Sequence, residues 1–70
     1  MKRRAVLKII EKAARERGLL FSIQERTNHT AIQVGGVLTF IGRHREIPDL
    51  ARLKLFKQLE PALGKDWWRN

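Results

Sequence analysis

RTNHTAIQVGGVLTFIGRHR, the stretch from Arg26 to Arg45, decides the fold of this chain because it turns back on itself at Gly35-Gly36. Glycine reaches the positive φ that a tight turn needs, and apolar, partly β-branched residues flank the pair on both sides, so the segment reads as a β-hairpin. Strands of equal length leaving that turn bring Asn28-His29-Thr30 close to Gly42-Arg43-His44-Arg45. The two histidines of the protein, His29 and His44, then gather with Arg43 and Arg45 at one end of a small sheet. A plain two-residue turn would pair Val34 with Val37 and put Leu38 and Phe40 on the face of His29 and Gln33, away from Ile32 and Val34. A bulge or an odd-length turn shifts one strand by a residue and unites Ile32, Val34, Leu38 and Phe40. The pattern therefore predicts an irregularity near the glycines, with His29 left on the open face.

Outward from the hairpin, Leu20 to Arg26 alternates Phe21 and Ile23 with Ser22 and Gln24, the period-two signature of a strand with one covered face. With Thr30 to Val34 and Val37 to Ile41 it makes a three-stranded antiparallel meander. Ahead of it, from Arg3 to Arg17, Val6, Ile9, Ile10 and Ala13 recur at helical spacing, and Gly18 follows where a C-terminal cap belongs. Beyond it, Ile47-Pro48-Asp49 opens a second helix, with Asp49 as N-cap or first-turn acid, running to about Glu60. Leu53, Leu55, Phe56 and Leu59 are its apolar side; Arg52, Lys54 and Lys57 face outward. Pro61 ends or kinks this helix, and Gly64 ends the short segment after the proline. Trp67-Trp68 is a late packing anchor or a contact for a partner chain or an RNA base. The order α-β-β-β-α is that of an α+β fold, a three-stranded antiparallel sheet with two helices on one face.

Seventy residues are enough for one domain, 1–70, whose core contributes about 3–5 kcal/mol of net stability. The absence of cysteine excludes a disulfide framework, a thiolate metal site and a cysteine nucleophile. Fifteen Lys+Arg against seven Asp+Glu leave a formal charge of +8, which points to a polyanion or an acidic protein as partner. No apolar run approaches the roughly 20 residues that span a bilayer, and charges interrupt the first helix, so no membrane association is expected and a cytoplasmic protein is. Arg4, Lys8, Lys12 and Arg15, spaced by four, four and three, form a basic stripe on that helix. Either they are a solvated face beside a frayed start or they contact phosphates.

There is no Walker loop, Rossmann glycine pattern, HExxH or acidic cluster for Mg²⁺, so neither a metal nor a cofactor is expected. Metal-free RNA cleavage remains open: the substrate's own 2′-OH is the nucleophile, and the protein needs a proton acceptor, a proton donor and positive charge at the phosphate. Imidazole is suited to the proton transfers, and a positioned acid or base contributes about 10²–10⁴ in rate. Arg43 and Arg45 are placed to supply the charge. From spacing alone, a lone histidine on a strand is more often a structural or surface residue.

Three segments in order carry a family likeness: Thr27-Asn28-His29, then Arg43-His44-Arg45-Glu46-Ile47-Pro48, then the helix Lys54-Leu55-Phe56-Lys57-Gln58. Over about residues 3 to 59 the chain resembles the HicA toxins of type II toxin-antitoxin systems, small RNases that cleave mRNA and are held inactive by a HicB antitoxin. It departs from them in having Thr27-Asn28 for Gly-Ser, Gly42 where proline is common, and Leu50-Ala51 for a Gly-Thr-like helix start. The resemblance implies a fold like a double-stranded-RNA-binding domain, an mRNA endonuclease of the stress-response type, and an acidic HicB-like partner covering the histidine face. It implies that His29 is the catalytic histidine and His44 an assisting or phosphate-contacting one. Arg43 and Arg45 would flank the scissile phosphate while Arg4, Lys8, Lys12, Arg15, Lys54 and Lys57 grip the RNA backbone. The rivals are a non-catalytic RNA-binding module of the same fold and a small basic protein-interaction domain built on Trp67 and Trp68.

Overall fold

The buried side of the first helix is Val6, Ile10, Ala13 and Ala14, the apolar stripe its spacing dictates. In the computed structural model, which describes residues 1–69, this helix, α1, spans Arg3–Glu16. It ends in a Schellman cap: Gly18 takes φ +67, Gly18 N–H donates to Arg15 O at 3.1 Å and Leu19 N–H to Ala14 O at 2.9 Å. Among the described residues β1 (Phe21–Glu25), β2 (His29–Val34) and β3 (Val37–Gly42) follow, then α2 (Asp49–Gln58) and a short α3 (Glu60–Leu63). The strands form one antiparallel sheet in the order β1-β2-β3, so the α-β-β-β-α layout is as expected.

The predicted irregularity at the glycines is absent. Val34 pairs directly with Val37, and the register runs on without a bulge through Ile32 with Thr39, Ala31 with Phe40 and His29 with Gly42. Gly35 alone of the two has a left-handed φ, +56, the type II′ pattern whose twist suits a two-residue hairpin. Leu38 and Phe40 consequently point away from the helices and are 54% and 49% exposed, whereas Ile32 and Val34 are fully buried. The union of all four on one face does not occur. Val37, Thr39 and Ile41 face the helices instead. Thr39 is tolerated there because its hydroxyl donates to the Gln58 side-chain oxygen on α2, which satisfies a polar group that would otherwise be costly to bury.

Helices α1 and α2 cover this inner face, and the core joins Val6 and Ile10 to Ile32, Val34 and Ile41 and to Leu55, Phe56 and Leu59. Pro48 precedes α2 and Asp49 lies in its first turn; the helix breaks at Leu59, before Pro61, and Gly64 ends α3 with φ +103. Trp67 is the packing anchor of the two tryptophans: its indole N–H donates to Phe56 O at 2.7 Å and its ring meets Phe56 edge-on. The start of α1 is pinned, not frayed. Lys2 bridges Glu46, Arg3 N–H donates to Arg45 O at 2.8 Å, and Met1 and Ile47 exchange two main-chain bonds. No helix among the described residues is long and apolar enough to cross a membrane.

This register makes a contrast measurable by denaturant unfolding. Replacing Phe56 with Ala should cost about 3–5 kcal/mol, comparable to the whole stability of a domain this small. Phe40→Ser should cost less than about 1 kcal/mol, since half of that side chain is already in water. Equal losses would show that the strand faces are assigned the wrong way round.

Candidate nucleic-acid interface

Alternation along three paired strands gives the open sheet face three rows of side chains. Ser22, Gln33 and Leu38 make one; Gln24, Ala31 and Phe40 make the next. The third lies at the strand ends. There Arg26 N–H donates to His29 O at 2.8 Å, His29 stands opposite Gly42, and Thr27-Asn28 link β1 to β2 without disturbing the pairing. Gly42 has no side chain, and the space is taken by His44: a β-carbon built at 42 would lie 3.2 Å from His44 Cδ2. The His44 ring thus stands on the face of His29, beside its cross-strand partner. Half-buried His29 meets the Phe40 ring at right angles with centroids 4.9 Å apart.

Round the same end, a recess of about 460 Å³ is lined by Lys2, Arg3, Arg4, Arg43 and Arg45. The main-chain bridge between Lys2 and Glu46 is what draws these five cations together. Arg43 links the recess to the histidine row, since its NH1 donates to Arg26 O at 3.2 Å and its Nε lies 3.5 Å from Glu25 Oε1. Buried Thr30 organises the junction: its hydroxyl donates to Glu25 Oε1 at 2.7 Å and accepts from the Arg3 guanidinium. Arg3 also lies 3.2 Å from Glu25 Oε2. The Thr30 hydroxyl, followed by the Arg3 and Arg43 charges, holds the Glu25 carboxyl below its ordinary value near 4.5 against a partial desolvation penalty.

The residues singled out from sequence divide accordingly. His29 pairs with Gly42 at one sheet end and the His44 ring lies against Gly42, while Arg43 and Arg45 line the recess together with Arg4. Lys8, Lys12 and Arg15 are exposed on α1, whose buried side packs on the covered sheet face, so they lie away from the histidine row; Arg15 also has Glu11 at 3.5 Å. Lys54 and Lys57 are likewise exposed on α2. Sequence reasoning missed Lys2, Arg3, Arg26 and Phe40. Arg26 was legible, because the alternation of Ser22 and Gln24 continues to it, and its guanidinium indeed reaches the Gln24 side chain at 3.3 Å. For Lys2 and Arg3 there was no signal, as the bridge to Glu46 joins opposite halves of the chain.

Among the described residues no group of three or more His, Asp or Glu side chains is placed to hold a metal ion. The recess instead gathers the positive side chains of Lys2, Arg3, Arg4, Arg43 and Arg45. Comparisons of the chain with known protein families, curated proteins and solved structures return no match.

Glu25 yields a pH prediction with a definite sign. A carboxylate whose pKa is depressed by folding contributes stability that is fully present above the ordinary glutamate value and is lost as pH falls through the folded one. Unfolding followed between pH 6 and pH 3 should therefore show stability falling on the acid side, and Glu25→Gln should flatten that fall. A Glu25 carboxyl that titrates by NMR at or above its ordinary value would contradict the Thr30–Glu25–Arg3 arrangement.

Proposed function

We propose that this chain is an endoribonuclease that cleaves mRNA without a metal, on the plan of the HicA toxins. The observation that carries this is the pairing of His29 with Gly42, which sets the His44 ring on the same face at a strand end flanked by five cations. One imidazole accepts the 2′-OH proton as the O2′–P bond forms, and the other gives a proton to O5′ as the P–O5′ bond breaks. The products are a 2′,3′-cyclic phosphate and a 5′-hydroxyl. Arg43 and Arg45, with Arg4 beside them, stabilise the charge on the pentacoordinate phosphorus. DNA is spared because it lacks the nucleophile. An acidic antitoxin of the HicB kind, seated over the histidine row, would block the site and use the same positive field.

A second function, RNA binding without cleavage, is favoured by the contact between His29 and Phe40, since an imidazole packed on a phenyl ring is also a platform for a base. One experiment separates the two. Purified protein is incubated with RNA in EDTA, and the expected products carry 2′,3′-cyclic phosphate ends. His29→Ala should slow their formation by about 10²–10⁴ while RNA binding persists. A requirement for divalent metal, or cleavage unchanged in the variant, would refute the mechanism, and RNA binding that yields no cyclic-phosphate ends would leave only the binding module.

The cation recess makes its own prediction. Replacing Arg43 and Arg45 together with Gln should weaken RNA binding irrespective of sequence. It should also reduce the slope of log affinity against log salt by about 0.7 for each phosphate contact removed. An unaltered slope would place the RNA backbone elsewhere on the molecule.

A further inference from the structure

The least expected feature of the molecule is what its open sheet face displays. Leu38 and Phe40, 54% and 49% exposed, stand on the sheet face opposite the helices, and Phe40 touches His29. We infer that this face selects single-stranded RNA, with an unpaired base stacked on Phe40 next to His29. The inference deepens the cleavage function proposed for the same residues and rests on it for the identity of the nucleic acid.

Three observations favour this occupant. The first is geometric: in a duplex each base is stacked within the helix, and an A-form groove offers ribose hydroxyls and base edges to a protein. Exposed phenyl and isobutyl groups have nothing to meet there, whereas a splayed-out base offers its whole π-face. The second is the setting. Ser22, Gln24 and Gln33 surround Ala31, Leu38 and Phe40 with groups able to donate and accept hydrogen bonds at base edges. Arg26, held by Gln24, and Arg43, held at the Arg26 carbonyl, stand at the rim where the attached phosphates would pass toward the recess. The third is charge and area. Two copies of a chain carrying +8 repel one another. Two half-exposed apolar side chains offer on the order of 200 Å², against about 800 Å² per partner in a stable protein interface.

Stacking on Phe40 also has a use in the reaction. A nucleotide drawn out of regular helical geometry can bring its 2′-oxygen into line with the P–O5′ bond, the near-attack arrangement that cleavage requires. Phe40 is then a binding residue that fixes the base, while His29 and His44 act at the phosphate.

The test uses a fluorescently labelled 12-nucleotide 2′-O-methyl RNA, which lacks the nucleophile and so reports binding alone, single-stranded or annealed to its complement. Anisotropy titrations of the full chain should show the single strand bound about tenfold or more tighter than the duplex. Phe40→Ala should abolish that preference by weakening single-strand binding about tenfold, and Phe40→Trp should keep it. Circular dichroism confirms that both variants are folded. Equal affinity for the two forms, or single-strand affinity indifferent to Phe40→Ala, overturns the inference even if unmodified RNA is still cleaved in EDTA. Phe40-dependent binding without such cleavage sustains the inference and removes the catalytic function. Self-association in sedimentation equilibrium that Phe40→Ala abolishes, with RNA affinity unmoved, assigns the face to a second copy of the chain and overturns the inference.

Discussion

Closure of the hairpin by two glycines between Val34 and Val37 sets the facing of every side chain in β2 and β3. Because side chains alternate with a period of two, an even link and an odd link give opposite answers for a whole strand. The even link puts Val37, Thr39 and Ile41 under the helices and Leu38 and Phe40 in solvent. Burying a Leu or Phe side chain is worth about 1.5–3 kcal/mol, so a chain with so small a core leaves a sizeable stabilisation unused. Thr39 takes a core position and needs the Gln58 side chain to satisfy it. The register thus holds two large apolar groups, Leu38 and Phe40, out of a limited core on an otherwise polar face.

The strand end opposite the turn is under a different constraint, the concentration of like charge. Pairing of Lys2 with Glu46 brings Lys2, Arg3 and Arg4 against Arg43 and Arg45, which is unfavourable for the isolated protein. Glu25 and Glu46 offset part of this, the first through Arg3 and Arg43 and the second through the terminal ammonium at 3.6 Å. Thr30 is the buried pin between these groups, joining α1 to β1 and β2 through a single hydroxyl. An anion at the recess would relieve the remaining repulsion, so the electrostatics that weaken the free molecule favour a bound polyanion.

The histidine row and the recess differ in what built them. His29 and His44 come together through local geometry, two strands of equal length leaving one turn. The cations come together through contacts distant in sequence, between the first residues and the segment after β3. Arg43 belongs to both, reaching across the start of β2 to the carbonyl of Arg26.

From sequence alone the elements and their order were determined, because a 3.6-residue period in α1 and a two-residue period in the strands are local properties. Gly18, Gly35 and Gly64 punctuate them through left-handed backbone conformations that other residues disfavour, and Pro61 through its missing N–H. The meeting of His29 with the Arg43–Arg45 segment was determined the same way, from the position of the turn. Only the tertiary structure decided which face Leu38 and Phe40 occupy, since two glycines permit an even or an odd link and the even one requires Thr39 to be satisfied inside, as it is by Gln58 on α2. It alone decided that Lys2 and Arg3 join the site, because a main-chain bridge between residues as distant in sequence as Lys2 and Glu46 leaves no periodic trace in the residues that make it.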